Sequence, residues 1–259
     1  MNITSLLRQL PRRAAMLGVA GVLALGVALP MTASALTPVA AASDANCNGN
    51  VQCIINFGDQ RITERLTALS TLSSKANGQF HDGHITSDQN NSIQGDVTTN
   101  QNNLTTLKTK LDAETTATAA RADVMSIYLT YRIYAVVLPR DYREIALDIE
   151  THIDQNLRNG ETAIQNAING APTSEQGQLN ALFTDYKNQL GNAETQIDAA
   201  NGQIPSLTPQ NYNSNKSGYD TAFQNFKDDE SAAHGYIKAA ASDLHKIAQI
   251  LKGNVTPTP

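Results

Sequence analysis

The side chains in this sequence whose type and spacing can do chemistry fall into four groups. The first is His81-Asp82-Gly83-His84, where two imidazoles and a carboxylate can hold a transition metal weakly. A polar loop that turns at Gly83 explains the same residues. The second is a pair of carboxylate–histidine steps, Asp148 with His152 and Glu230 with His234, with Glu144 one turn earlier. Side chains four apart share a helix face, so each pair can chelate or simply hydrogen-bond. Di-iron bundles use Glu-x-x-His plus further glutamates, a pattern missing here. Solvated helix faces are the plainer reading, and neither metal nor other cofactor is assigned. The third group is Cys47 and Cys53, the only cysteines. In an exported chain such a pair implies a disulfide. Closing so short a loop over Asn48-Gly49 is worth roughly 2 kcal/mol and would staple the start of the first helix. Redox pairs are usually C-x-x-C, and a metal needs more ligands. The fourth is Tyr128, Tyr131, Tyr134 and Tyr142 around Arg132, Arg140 and Arg143. Tyr and Arg are favoured at protein interfaces, which makes this the candidate contact surface; a packed tyrosine layer is the competing reading. The sequence contains no phosphate-binding glycine loop, no G-x-S-x-G and no H-E-x-x-H. No catalytic residue is assigned, and an enzyme is not expected.

The elements that must position these residues are helices. After residue 54 the apolar residues recur with helical period, and no alternating run reads as a strand. A first helix is expected over 54–76, with Ile55, Ile62, Leu66 and Leu69 on one stripe, then a loop over 77–85. Thr86-Ser87-Asp88-Gln89 is a capping box that opens a second helix over 87–112. There Ile93, Val97, Asn100, Leu104, Leu107 and Leu111 form a heptad seam with one polar position, of the kind that sets register. A third helix runs from about 116 to Pro139, which should break or kink it. A fourth spans 140–169 on the stripe Ile145, Ile149, Ile153, Leu157, Ile164 and Ile168. A fifth covers 174–201 and a last one 209–252, opened by Thr208-Pro209 and closed by Gly253. The expected fold is all-α, an elongated antiparallel helical bundle of coiled-coil-like hairpins with about five to six long helices.

The chain has 259 residues and a formal net charge of −5. Residues 1–42 read as an export signal: Arg8, Arg12 and Arg13, an apolar run over 14–29, then small residues offering cleavage after Ala35 or Ala42. The apolar run is short for a membrane span, so a membrane link would come only through an uncleaved signal. Without the three signal arginines the chain holds 16 basic and 24 acidic residues, net −8. That balance excludes an electrostatic nucleic-acid binder and a surface held by anionic lipid. The 24 Asn and 17 Gln give an exterior solvated without a strong field. The organisation read from the sequence is a disulfide-closed segment over 43–53, a helical bundle over 54–201, a linker over 202–208, a long C-terminal helix over 209–252 packing on the bundle, and a Pro/Thr tail without regular structure over 253–259.

The segment from Asp123 to Pro139 reads D-x-x-S-I-x-x-x-Y-R-I-Y-A-x-x-x-P. With the hairpin from Ile62 to Leu111 before it, the chain over roughly 60–160 resembles a group of uncharacterised exported helical proteins of reduced-genome candidate-phylum bacteria. The Y-R-I-Y segment is the more specific part. The resemblance implies an envelope or extracellular location and an all-helical fold, and brings no known activity. The expected function is therefore that of a non-catalytic exported helical protein. It would act at the cell envelope or surface through contact with an envelope or extracellular protein partner. The alternative is a small-ligand or metal-binding bundle of the extracytoplasmic space, using His81, His84, His152 or His234. A heptad seam can be satisfied within one chain or between two copies, which keeps a homo-oligomer in view.

Overall fold

Thirty-one residues, Val51–His81, form the first helix, α1. Its start is set by Asn50, whose side-chain oxygen accepts from the Cys53 N–H at 3.0 Å. The Cys47 and Cys53 sulfurs stand at bonding distance, 2.11 Å, with Cα atoms 5.4 Å apart. The computed structural model describes residues 47–253. The expected signal over 1–42, its two cleavage points and the tail beyond Gly253 lie outside the described residues.

The remaining elements are α2 (Ser87–Asp112), α3 (Ala117–Leu129), a π turn (Ile133–Val137), α4 (Leu138–Asn159), α5 (Glu161–Asn169), α6 (Thr173–Gln203), a 3₁₀ turn (Ile204–Ser206), α7 (Pro209–Ser214) and α8 (Lys216–Gly253). No strand occurs among the described residues, and the protein is an all-α helical bundle. Two compact units divide the described chain: 47–148 with 203–225, and 149–202 with 226–253. No helix among the described residues is long and apolar enough to cross a membrane.

In the first unit α1 packs against α2 and α3. The α1–α2 pair is antiparallel, because its cross-links advance along α1 as they retreat along α2. Lys108 meets Asp59 at 2.8 Å, Ser73 meets Gln94 at 2.6 Å, and Asn90 donates to Asn77 at 3.0 Å. Ile62, Leu69, Leu72, Ile93, Leu104 and Leu111 are buried between these helices. The amide that is buried in this seam is Asn90, not Asn100. Asn90 lies among Asn77 and Gln94, whereas the half-buried Asn100 turns back to the Asp96 carbonyl at 2.9 Å. Thr86 and Gln89 form the reciprocal capping box at the start of α2.

In the second unit Ile164, Ile168, Leu179, Phe183, Tyr186, Leu190, Ile247 and Leu251 make one apolar cluster from α5, α6 and α8. Tyr186 donates its hydroxyl to the Leu157 carbonyl at 2.7 Å. Arg158 bridges Asp154 at 2.6 Å and Glu194 at 3.2 Å.

The first helix runs to His81, five residues into the expected loop, and three further helices differ from the reading of the sequence, each for a local reason. The break expected at Pro139 falls earlier, between Leu129 and Ile133, and Pro139 sits inside the first turn of α4. A proline needs the carbonyl four residues back moved aside, and the wide π turn just before it does this. The helix expected over 140–169 is interrupted at Gly160, whose N–H turns back to the Leu157 carbonyl at 3.0 Å. The last helix restarts at Lys216, because the Asn215 side chain accepts from the Gly218 N–H at 3.0 Å and caps a new N-terminus.

Candidate functional site

The helix break organises the tyrosine and arginine residues. After Leu129 the Thr130 and Tyr131 N–H groups both reach back to the Ser126 carbonyl, at 2.9 and 3.3 Å. Arg132 then takes φ 49°, ψ 33°, the left-handed region. That conformation costs a non-glycine residue roughly 1–2 kcal/mol and persists only where surrounding contacts impose it. Here α7 supplies them. Arg132 Nε donates to Asn213 Oδ1 at 2.9 Å, its guanidinium lies 4.6 Å above the Tyr212 ring, and Asn213 Nδ2 donates to the Leu129 carbonyl at 2.5 Å. The break leaves Leu129 and Tyr134 standing out, 41% and 48% exposed. Tyr134 is anchored from within: its hydroxyl donates to the Glu64 carbonyl at 3.2 Å. The Arg65 guanidinium lies 4.8 Å from the Tyr128 ring and 4.9 Å from the Tyr134 ring.

The other residues of the candidate contact surface are turned inward to varying degrees. Tyr128, Tyr131, Arg132, Tyr142 and Arg143 are half-buried, and Arg143 lies 5.9 Å over the Phe223 ring. Arg140 is the centre of an ion network. Its Nε meets Asp141 at 2.6 Å, one Nη meets Asp96, and the other donates to the Leu207 carbonyl at 3.4 Å. Asp141 is fully buried, and that burial outweighs the pull of Arg140 and raises its carboxyl to about 7. Glu144 and Asp148 are raised by burial to about 7 as well, with Asp148 accepting from Gln89 Nε2 at 2.8 Å.

The histidines serve different ends. His81 and His84 are exposed, and the loop they flank is the C-terminal cap of α1. Gly83 N–H reaches the Phe80 carbonyl at 3.0 Å, His84 N–H reaches the Gln79 carbonyl at 2.8 Å, and Gly83 supplies φ 73°. His84 Nδ1 also lies 2.9 Å from Gln79 Oε1. His234 reaches from α8 to α4, with Nδ1 3.2 Å from Glu150 Oε1. Burial, with Glu230 nearby, raises Glu150 to about 8. His152 is half-buried on α4. Among the described residues no group of three or more His, Cys, Asp or Glu side chains is placed to hold a metal ion.

Arg65, Asp141 and Glu150 were not singled out by spacing, yet each carries a polar atom buried without an acceptor or donor. A signal existed for two of them. Arg65 stands on the stripe of Ile62 and Leu69, and Asp141 stands one turn before Ile145, so both are ions in register with an apolar face. Comparison of the chain with protein-family models, with curated proteins and with solved structures finds no match. Function is therefore argued from the geometry.

Proposed function

We propose that the chain is a non-catalytic exported helical protein that acts at the cell envelope or surface by protein–protein contact, through the segment 129–134. The observation that carries the reading is the pair Leu129 and Tyr134, large apolar side chains held outward by a break that Arg132 and α7 maintain at a cost in backbone strain. An apolar pair rimmed by polar residues is the composition of an interface core. Export rests on the arginine-led apolar run of residues 1–42 and on the resemblance of 60–160 to exported helical proteins. The heptad spacing of α2 supports a coiled-coil character for the α1–α2 hairpin.

The test is capture from envelope extract by the immobilised chain and by a Leu129→Ser/Tyr134→Ser variant, with circular dichroism to show an unchanged fold. A partner retained by the parent and lost by the variant is the expected result. Retention by both rejects the segment as the contact. Charge reversal at Arg140 is a poor probe of the same question, since Arg140 is buried against Asp141 and would unfold its surroundings.

A further inference from the structure

We infer that Arg65, which lies against the rings of Tyr128 and Tyr134, receives an acidic side chain, an Asp or Glu carboxylate, presented by the partner protein; this rests on the contact reading above. Arg65 stands on the buried stripe of α1 and is only 5% exposed. One Nη donates to the Arg61 carbonyl at 2.8 Å, and Nε has no acceptor among the described residues. The adjacent Glu64 is already engaged by Arg61, with both carboxylate oxygens at 3.0 and 2.9 Å. Arg140 and the partly exposed Arg158 differ. Arg140 has Asp96 and Asp141, and Arg158 has Asp154 and Glu194. A guanidinium taken out of water without a counter-ion is costly, and burial accordingly lowers the Arg65 pKa.

The rings of Tyr128 and Tyr134 both lie within 5 Å of the guanidinium carbon, and the buried Nε, on the edge of the fork, is the donor left without an acceptor among the described residues. A planar carboxylate matches that edge in two parallel hydrogen bonds. Tyr134 is the outer wall of the site and is about half exposed, so a partner resting on Tyr134 is within a side chain's reach of Arg65. The net charge of −5 repels small anions from a distance. A carboxylate carried on an apolar segment also gains burial against Leu129 and Tyr134, which a free ion does not.

The experiment titrates the isotope-labelled full chain with the capped peptides Ac-Leu-Glu-Leu-NH2 and Ac-Leu-Gln-Leu-NH2, and separately with inorganic phosphate, while following the Arg65 Nε–H resonance. The Glu peptide should move that resonance and bind more than about tenfold more tightly than the Gln peptide, as a charge-assisted pair requires. Arg65→Met, which removes an unpaired buried charge and keeps the stem, should fold and lose the preference. Arg65→Lys should keep only part of it, having charge without the fork. Equal binding of the two peptides, abolished by Leu129→Ser, overturns the carboxylate site and leaves the contact reading standing. Phosphate moving the resonance as far as the Glu peptide, binding of neither peptide, or an unchanged preference in Arg65→Met also overturns it.

Discussion

Two buried tyrosines show how much one hydroxyl decides at the scale of a residue. Tyr186 is fully buried, stacks on Phe183 at 5.9 Å between centroids, and donates to the Leu157 carbonyl at 2.7 Å. Tyr219 is also buried, between Tyr212 and Phe223 at 5.0 and 6.0 Å, but its hydroxyl has no partner among the described residues. Removing a satisfied donor strands its acceptor, whereas removing an unsatisfied one relieves a desolvation cost. Tyr186→Phe should therefore lower the unfolding free energy by about 1 kcal/mol. Tyr219→Phe should leave it unchanged or slightly raised. Urea denaturation of both variants reads the difference; equal losses would refute the assignment of the two hydroxyls.

At the scale of the element, Gly58 governs how closely the helices of the first unit approach. A Cβ there would stand 2.4 Å from Leu111 Cδ2 and 2.9 Å from Val124 Cγ2. Both neighbours are fully buried and have no solvent to swing into. Alanine adds about 1 kcal/mol of helix propensity, but overpacking costs about 1–3 kcal/mol, so the packing loss should win. Gly58→Ala is expected to lower the thermal midpoint. Gly95→Ala, in α2 with nothing within 4 Å of the added Cβ, should raise it. Calorimetry on the two variants gives opposite signs if the crossing is as tight as it stands.

For the whole molecule, the decisive feature is acid burial. Asp141, Glu144 and Asp148 in the first unit are raised to about 7, and Glu150 in the second to about 8. Burial is the main cause in each. Around Asp141, Arg140 opposes the shift while Asp96 and Glu144 add to it; beside Glu150, Glu230 adds to it. These folded-state values lie above the ordinary 3.8 and 4.5. The folded chain therefore holds protons that the unfolded chain has released. Stability contributed by these groups is full at low pH, falls as pH rises from about 4 to about 8, and is flat above. The denaturation midpoint should be higher at pH 5 than at pH 8, and Glu150→Gln should flatten that slope. A protein more stable at pH 8 than at pH 5 would contradict the burial of these carboxylates.

Helical period, caps and punctuation are written in adjacent residues. That is why the all-α class, the Thr86 capping box and the Cys47–Cys53 pairing are legible in the sequence. Local signals also placed α2 to the residue, because a Thr/Gln box and a terminal apolar leucine bracket it. What lay beyond reach depended on partners distant along the chain. The break moved from Pro139 to Arg132 because Asn213 and Tyr212, some eighty residues later, hold Arg132 in a left-handed turn. Asn90 replaced Asn100 as the buried amide because Asn77 faces it across the hairpin. Of the seven tyrosines and arginines read as a surface only Tyr134 stands exposed, the others being drawn part-way inward by neighbours such as Asn213, Asp141 and Phe223. Burial and charge pairing are properties of a neighbourhood, and the neighbours of Arg65, Arg140 and Glu150 are chosen only when the helices close on one another.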